Sequence, residues 1–274
     1  LPRDLADVLH HFLPETGPEP SEPSPPPESP PAQRGPARSL AALPIVALPI
    51  GDRDVVRAAF AWNLGVEIAR LGAGSVVVSP AATSDSTLWP CTGVGPLGAE
   101  VVLCPATGLG ELYRMALDVA VDRAATIDPE VGGLVLVRVP PPWLRRVDDG
   151  HGLLRWSLSF CSGDPSELLE TYGLVKLLAA THKNPQRARL GVTLHGVRSI
   201  AEARRAFLQL TRTAEAHLQR NLTSYGALVD DLHVYRAIVA RRPIGLEHPQ
   251  SPAARAMQDV ASMLIDDALE AIRA

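Results

Sequence analysis

The chain has 274 residues, 46% of them hydrophobic and 20% charged, with a formal net charge of −4 at neutral pH. That length supports one sizeable core, and the lack of any apolar run of about 18 residues excludes a bilayer-spanning helix. The acidic balance argues against a dedicated nucleic-acid binder, and three widely spaced cysteines (Cys91, Cys104, Cys161) suggest neither a disulfide framework nor a metal site.

The first residues carry no secretory-signal pattern, so a cytoplasmic location is expected. Residues 1–13, LPRDLADVLHHFL, instead set Leu1, Leu5, Val8, Leu9 and Phe12 on one stripe at helical spacing. So short a helix is not stable alone. Leu5, Val8, Leu9 and Phe12 are therefore candidate partner-docking residues, the other reading being a brace that folds back on its own domain. Residues 14–40 (EPSEPSPPPESPP at their centre) have no apolar periodicity and are expected to form a disordered or polyproline II spacer.

From residue 41 to 274 short apolar runs alternate with long helical segments. The expected strands are 43–48, 75–79, 100–104, 133–139, 154–160, 188–194 and 223–229. Several are continuously apolar, as strands covered on both faces should be. Helix starts are marked between them. Asp164-Pro165-Ser166-Glu167 is an N-cap with proline at the first helical position and a capping-box glutamate, Ser199 to Glu202 is a second capping box, and Ser251-Pro252 opens the last helix. This alternation predicts an α/β domain with a doubly wound, mostly parallel sheet flanked by helices.

In such sheets ligands bind at the carboxyl ends of the strands. The turn after the first strand and the helix following it, PIGDRDVVRAAFAWNLGVEIARLG (49–72), resemble the MinD/FlhG/ParA ATPases. In that family a deviant Walker A loop, G-K-G-G-V-G-K-T-T, leads into a helix like A-A-N-L-A-x-x-L-A-x-x-G, which Trp62 to Gly72 matches. Counting back from Asn63 puts Gly51 on the first glycine and Asp52 on the signature lysine. Arg53, Asp54 and Val56 fall on glycines, Arg57 on the Walker lysine, and Ala58 and Ala59 on the two threonines.

Phosphate is cradled by amides that can approach only where no Cβ intervenes, and here Arg53, Asp54 and Val56 carry one. Magnesium needs an oxygen ligand, which Ala58 lacks. Asp52 would repel a transferring phosphate, and only Arg57 keeps a cation. Gly51, Asp52, Arg53, Asp54, Arg57 and Ala58 are thus read as a vestigial nucleotide loop. The family's acidic strand ends are missing as well: Ser79-Pro80 closes the second strand, and Arg138 stands where the Walker B acid would be. Neither ATP hydrolysis nor ATP binding is expected, and no cofactor or metal is assigned. Lys176 and Lys183 are the only lysines, and neither lies in the loop.

The carboxy-terminal half resembles FlhG in particular. Asp164 to Leu178 matches its E-P-T-A-I-T-D-A-Y-A-L-I-K-x-L segment, Val197 to Phe207 its N-x-V-R-S-E element, and Pro249 to Ala256 its Y-P-x-S-P-A-A-x-A-I segment. His195 falls where the family's adenine-reading asparagine stands. The last helix carries Asp259, Asp266, Asp267 and Glu270 on an acidic polar face, which suits packing and not anchoring to anionic lipid.

The resemblance implies a catalytically inactive relative, a pseudo-ATPase working as a scaffold or regulator through protein–protein contacts. Its partner would be a protein, such as an active MinD/FlhG-like paralogue, in a homo- or heterodimer serving flagellar or polar placement or cell division. Two alternatives stay open: a nucleotide or anion sensor rewired around Arg57, Arg53 and His195, and a ParA-like DNA-segregation adaptor. The Asp148-Asp149-Gly150-His151 cluster is read as a solvated turn.

Overall fold

The computed structural model describes residues 41–81, 93–145, 147, 151–182, 184 and 188–273. The docking segment with Leu5, Val8, Leu9 and Phe12, the Pro-rich spacer, Cys91 and residues 148–150 lie outside the described residues.

An eight-stranded sheet runs through the domain: β1 (Ile45–Pro49), β2 (Gly74–Pro80), β3 (Gly93–Val94), β4 (Glu100–Cys104), β5 (Gly133–Val139), β6 (Trp156–Ser162), β7 (Arg189–Val197) and β8 (Thr223–Val229). Its order is β3-β4-β2-β5-β1-β6-β7-β8. Every pairing is parallel except that of the two-residue edge strand β3 with β4. The long connections are helices α1 (Val55–Arg70), α2 (Leu109–Ala124), α3 (Pro165–Ala180), α4 (Ile200–Leu218), α5 (Leu232–Ala240), α6 (Ile244–Glu247) and α7 (Pro252–Arg273).

Strand side chains alternate between faces, and both faces here are dry. Val135, Val137 and Val139 of β5 join the core under α2, α3 and α4, whereas Leu134 and Leu136 join the core under α1 and α7. This two-sided burial is why GLVLVRV reads as one apolar run. Helix α1 lies close to the sheet because Gly65 allows it: a Cβ there would come within 2.9 Å of Val77.

The expected strands all form, with shifted ends. β6 runs from Trp156, because Leu153 and Leu154 are buried in a 3-10 turn ahead of it. β7 extends to Val197, and β3 was not foreseen because two residues leave no periodic signal.

The caps form largely as read. Asp164 accepts from Ser166 N–H at 2.8 Å, and Ser251 Oγ from Ala254 N–H at 3.1 Å. Ser199 Oγ accepts from Glu202 N–H. Three readings need correction. Glu202 does not close a capping box on Ser199, since its carboxylate accepts from Arg198 N–H, one residue before the cap. Glu167 does not close a capping box on Asp164, since its carboxylate accepts from Ser162 N–H and turns toward α1. Asp267 is not on an exposed polar face; it is buried, taking a 2.5 Å hydrogen bond from Tyr225 Oη and a 3.1 Å ion pair from Arg189.

Candidate functional site

Strands β2 and β6 leave β1 in opposite directions across the sheet, with β5 inserted between β1 and β2. The carboxyl end of β1 is therefore at the topological switch point, where open α/β sheets hold ligands. The β1–α1 loop, the end of β5, the β6–α3 junction and the end of β7 all meet there. Alternation along the strands sends Arg138 to the same face as Leu134 and Leu136, which is the α1 face.

Several amides of the β1–α1 turn and the first turn of α1 are engaged within the chain. Asp54 N–H bonds Gly51 O, Val55 N–H bonds Arg53 O, and Ala58 N–H bonds Asp54 O. Asp54 is the N-cap of α1, its carboxylate accepting from Arg57 N–H at 2.9 Å. A helix N-terminus attracts an anion through free N–H groups and its dipole. Here a side-chain carboxylate of the chain takes that place.

Arg57 is 6% exposed and surrounded by carboxylates. Its Nη2 donates to Glu167 Oε2 at 3.0 Å, and its Nη1 lies 3.2 Å from Asp54 Oδ2 and 3.5 Å from Glu170 Oε1. Burial works against the charge, but Asp54, Glu170 and Glu167 outweigh it and hold the guanidinium above its ordinary range. Burial alone would raise Glu167. Hydrogen bonding from Ser162 and the Arg57 charge prevail and keep that carboxyl below its usual value.

Arg138 is 2% exposed, and its Nη2 donates to Gly51 O at 2.7 Å, with Asp52 Oδ1 3.8 Å away. Arg138 thus straps the loop from below. Burial pulls its pKa down, against the raising effect of Asp52 and Asp54. Asp52 and Arg53 are exposed, and Ala58 is buried in the core beneath α1.

His195 joins the cluster from β7. Its ring lies 5.1 Å from that of Phe60, and Nε2 is 3.7 Å from Glu167. Burial depresses its pKa, partly opposed by Glu167 and reinforced by Arg57. Beneath them burial pushes the Cys161 thiol up to about 11, which removes it as a ready nucleophile.

Of the residues singled out by sequence, Asp54, Arg57, Arg138 and His195 converge on this corner, while Arg53 points away to solvent. Glu167 and Glu170 were missed as site residues. The only local signal of Glu167 was acidity in the first turn of a helix, which capping already explained, and Glu170 lies in the second turn with no local signal. Ser79 is buried within the sheet at the end of β2. Among the described residues no group of three or more His, Cys, Asp or Glu side chains is placed to hold a metal ion.

Solved structures share this arrangement of strands and helices. The MinD cell division protein of Aquifex aeolicus superposes with a TM-score of 0.56 at 14% identity, over 81% of this chain and 97% of that one. The fold is that of the MinD and ParA-family ATPases. A chain of the MinC:MinD cell division protein complex of the same organism gives a TM-score of 0.54 at 14% identity, over 81% and 96%. The ParA-family ATPase of Chlorobium tepidum TLS gives 0.51 at 13%, over 82% and 99%. No protein-family model matches the chain, and no curated protein matches it in sequence.

Within this MinD-like fold the helix that resembles the family's A-A-N-L segment has a structural task. Asn63 Oδ1 accepts from Ile244 N–H at 2.6 Å and its amide donates to Ala59 O, so it ties α6 to α1. Glu67, one turn on, is buried beside Gly245 and pairs with Arg70. No helix among the described residues is long and apolar enough to cross a membrane.

Proposed function

We propose that this chain is a cytoplasmic pseudo-ATPase of the MinD/FlhG/ParA type, FlhG-like in its carboxy-terminal half, that works by binding a protein partner. The observation that carries this reading is the neutralisation of Arg57. Magnesium-bound ATP would bring several negative charges to a corner that already holds Asp52, Asp54, Glu167 and Glu170 against Arg57 and Arg138. The amides of Asp54, Val55, Arg57 and Ala58 are bonded within the chain, and Ala58 offers no oxygen to a cation. These residues do not fit the nucleotide.

Residues 41–274 are then the scaffold body, residues 14–40 the spacer and residues 1–13 the segment that reaches a partner. The MinC:MinD complex supports this only by analogy, as a case in which a protein of this fold is assembled with another protein. An active relative of this chain, bound as a heterodimer in division or polar placement, is the partner we favour.

Calorimetry of the full chain against ATP and ADP with magnesium, together with a turnover assay and sedimentation, tests the proposal. We expect no binding heat, no phosphate release and no ATP-dependent change of mass. An ATP-stimulated dimer would overturn it. Anion binding that disappears in Arg57→Ala would favour a rewired sensor instead.

A further inference from the structure

Helices α3 and α4 lie side by side on one face of the sheet with an open groove between them of about 700 Å³. Pro165, Leu168, Leu169 and Tyr172 form one wall, and Leu210 and Leu218 belong to the other. Leu169 is 71% exposed although it sits mid-wall, so the groove presents apolar surface to solvent. Lys176 adds a cation to the lining.

We infer that this groove is the resting seat of the chain's own residues 1–13, taken up as a helix. Three observations select that occupant. The segment spaces Leu5, Val8, Leu9 and Phe12 at i, i+3, i+4 and i+7, the pattern by which an amphipathic helix fills an apolar groove. It brings Asp4 and Asp7 to a lining whose cation is Lys176.

The third is where the chain enters the body. Leu43 lies in the core under α2, α3 and α4, and its N–H bonds Ala120 O of α2. The tether therefore begins on the face that carries the groove. Neighbouring helices pack about 8–10 Å apart, so the seat, about one and a half spacings from α2, lies roughly 12–15 Å across that face. A flexible spacer of about 27 residues spans roughly 30 Å on average, and more if it adopts polyproline II. The exposed stripe on α5 (Leu232, Tyr235, Val239) belongs to the opposite face, with α1 and α7, and is the less accessible seat for this tether.

Docking in cis hides the segment until a partner competes for it. This rests on the groove and the tether, and stands whether or not the nucleotide reading holds. Methyl NMR of the full chain tests it against the variant Leu5→Asp/Leu9→Asp/Phe12→Asp, whose changes lie outside the body and leave its fold intact. We expect methyl shifts confined to Leu168, Leu169, Leu210 and Leu218, independent of protein concentration and reproduced by Leu169→Asp. Unchanged groove methyls would overturn the inference. So would shifts at Leu232 and Val239 instead, or shifts that grow with concentration, which mean docking onto a second copy.

Discussion

Arg57 and Glu167 meet at 3.0 Å although 110 residues separate them in the chain. One stands in the first turn of α1 and the other in the first turn of α3, and the central position of β1 beside β6 brings the two helix starts together. Asp54, Glu170 and His195 complete the cluster, so internal charge pairing gathers at the carboxyl end of β1.

Removing the cation leaves three carboxylates facing each other. Arg57→Ala is expected to destabilise the chain by about 1–3 kcal/mol, less than for a fully enclosed pair because Glu167 is partly solvated. Adding Glu167→Ala should recover part of that loss. Urea denaturation of the two single variants and the double variant checks this, and additive effects would contradict the pairing.

Acid should loosen the same corner in two stages. The folded pKa of His195 is depressed, so the unfolded chain binds the proton first. Its contribution is full above about pH 6.5 and is lost as the pH falls toward its lower folded value. Glu167 is also depressed, and its contribution is lost as the pH falls below about 4.5 through its folded pKa. Melting temperature against pH should decline over both windows. His195→Gln should flatten the upper decline and Glu167→Gln the lower.

Arg138 is predicted to hold the loop. Arg138→Ala removes the donor to Gly51 O and leaves a void beside α1, at a cost of about 2–4 kcal/mol. Arg138→Met keeps most of the volume and should cost less. Faster proteolysis within residues 50–54 in both variants, with a lower melting temperature in the first, is the measured outcome.

At the other end of the sheet, Tyr225→Phe strips the hydroxyl from buried Asp267 and leaves it to Arg189. A loss of about 1–3 kcal/mol is expected in denaturant unfolding. Arg189→Ala, which leaves the Asp267 charge buried without that cation, should cost at least as much.

The sequence by itself determined the sheet and most of its helix starts. Both are local: an apolar run such as GLVLVRV needs cover on two faces wherever it lies, and Asp164, Ser199 and Ser251 cap the amides that follow them directly. It also supported reading Asp52 and Arg57 as departures from one family pattern and Arg138 as a departure from another, because each pattern is a short contiguous string. The tertiary structure alone decided what those residues do. Glu167 was assigned to a cap because nothing within four residues of it reveals Arg57, and Asp267 was assigned to solvent because its partners Tyr225 and Arg189 arrive from other strands. Electrostatic pairing acts across space, and only the strand order β5-β1-β6-β7 fixes which charges share one corner.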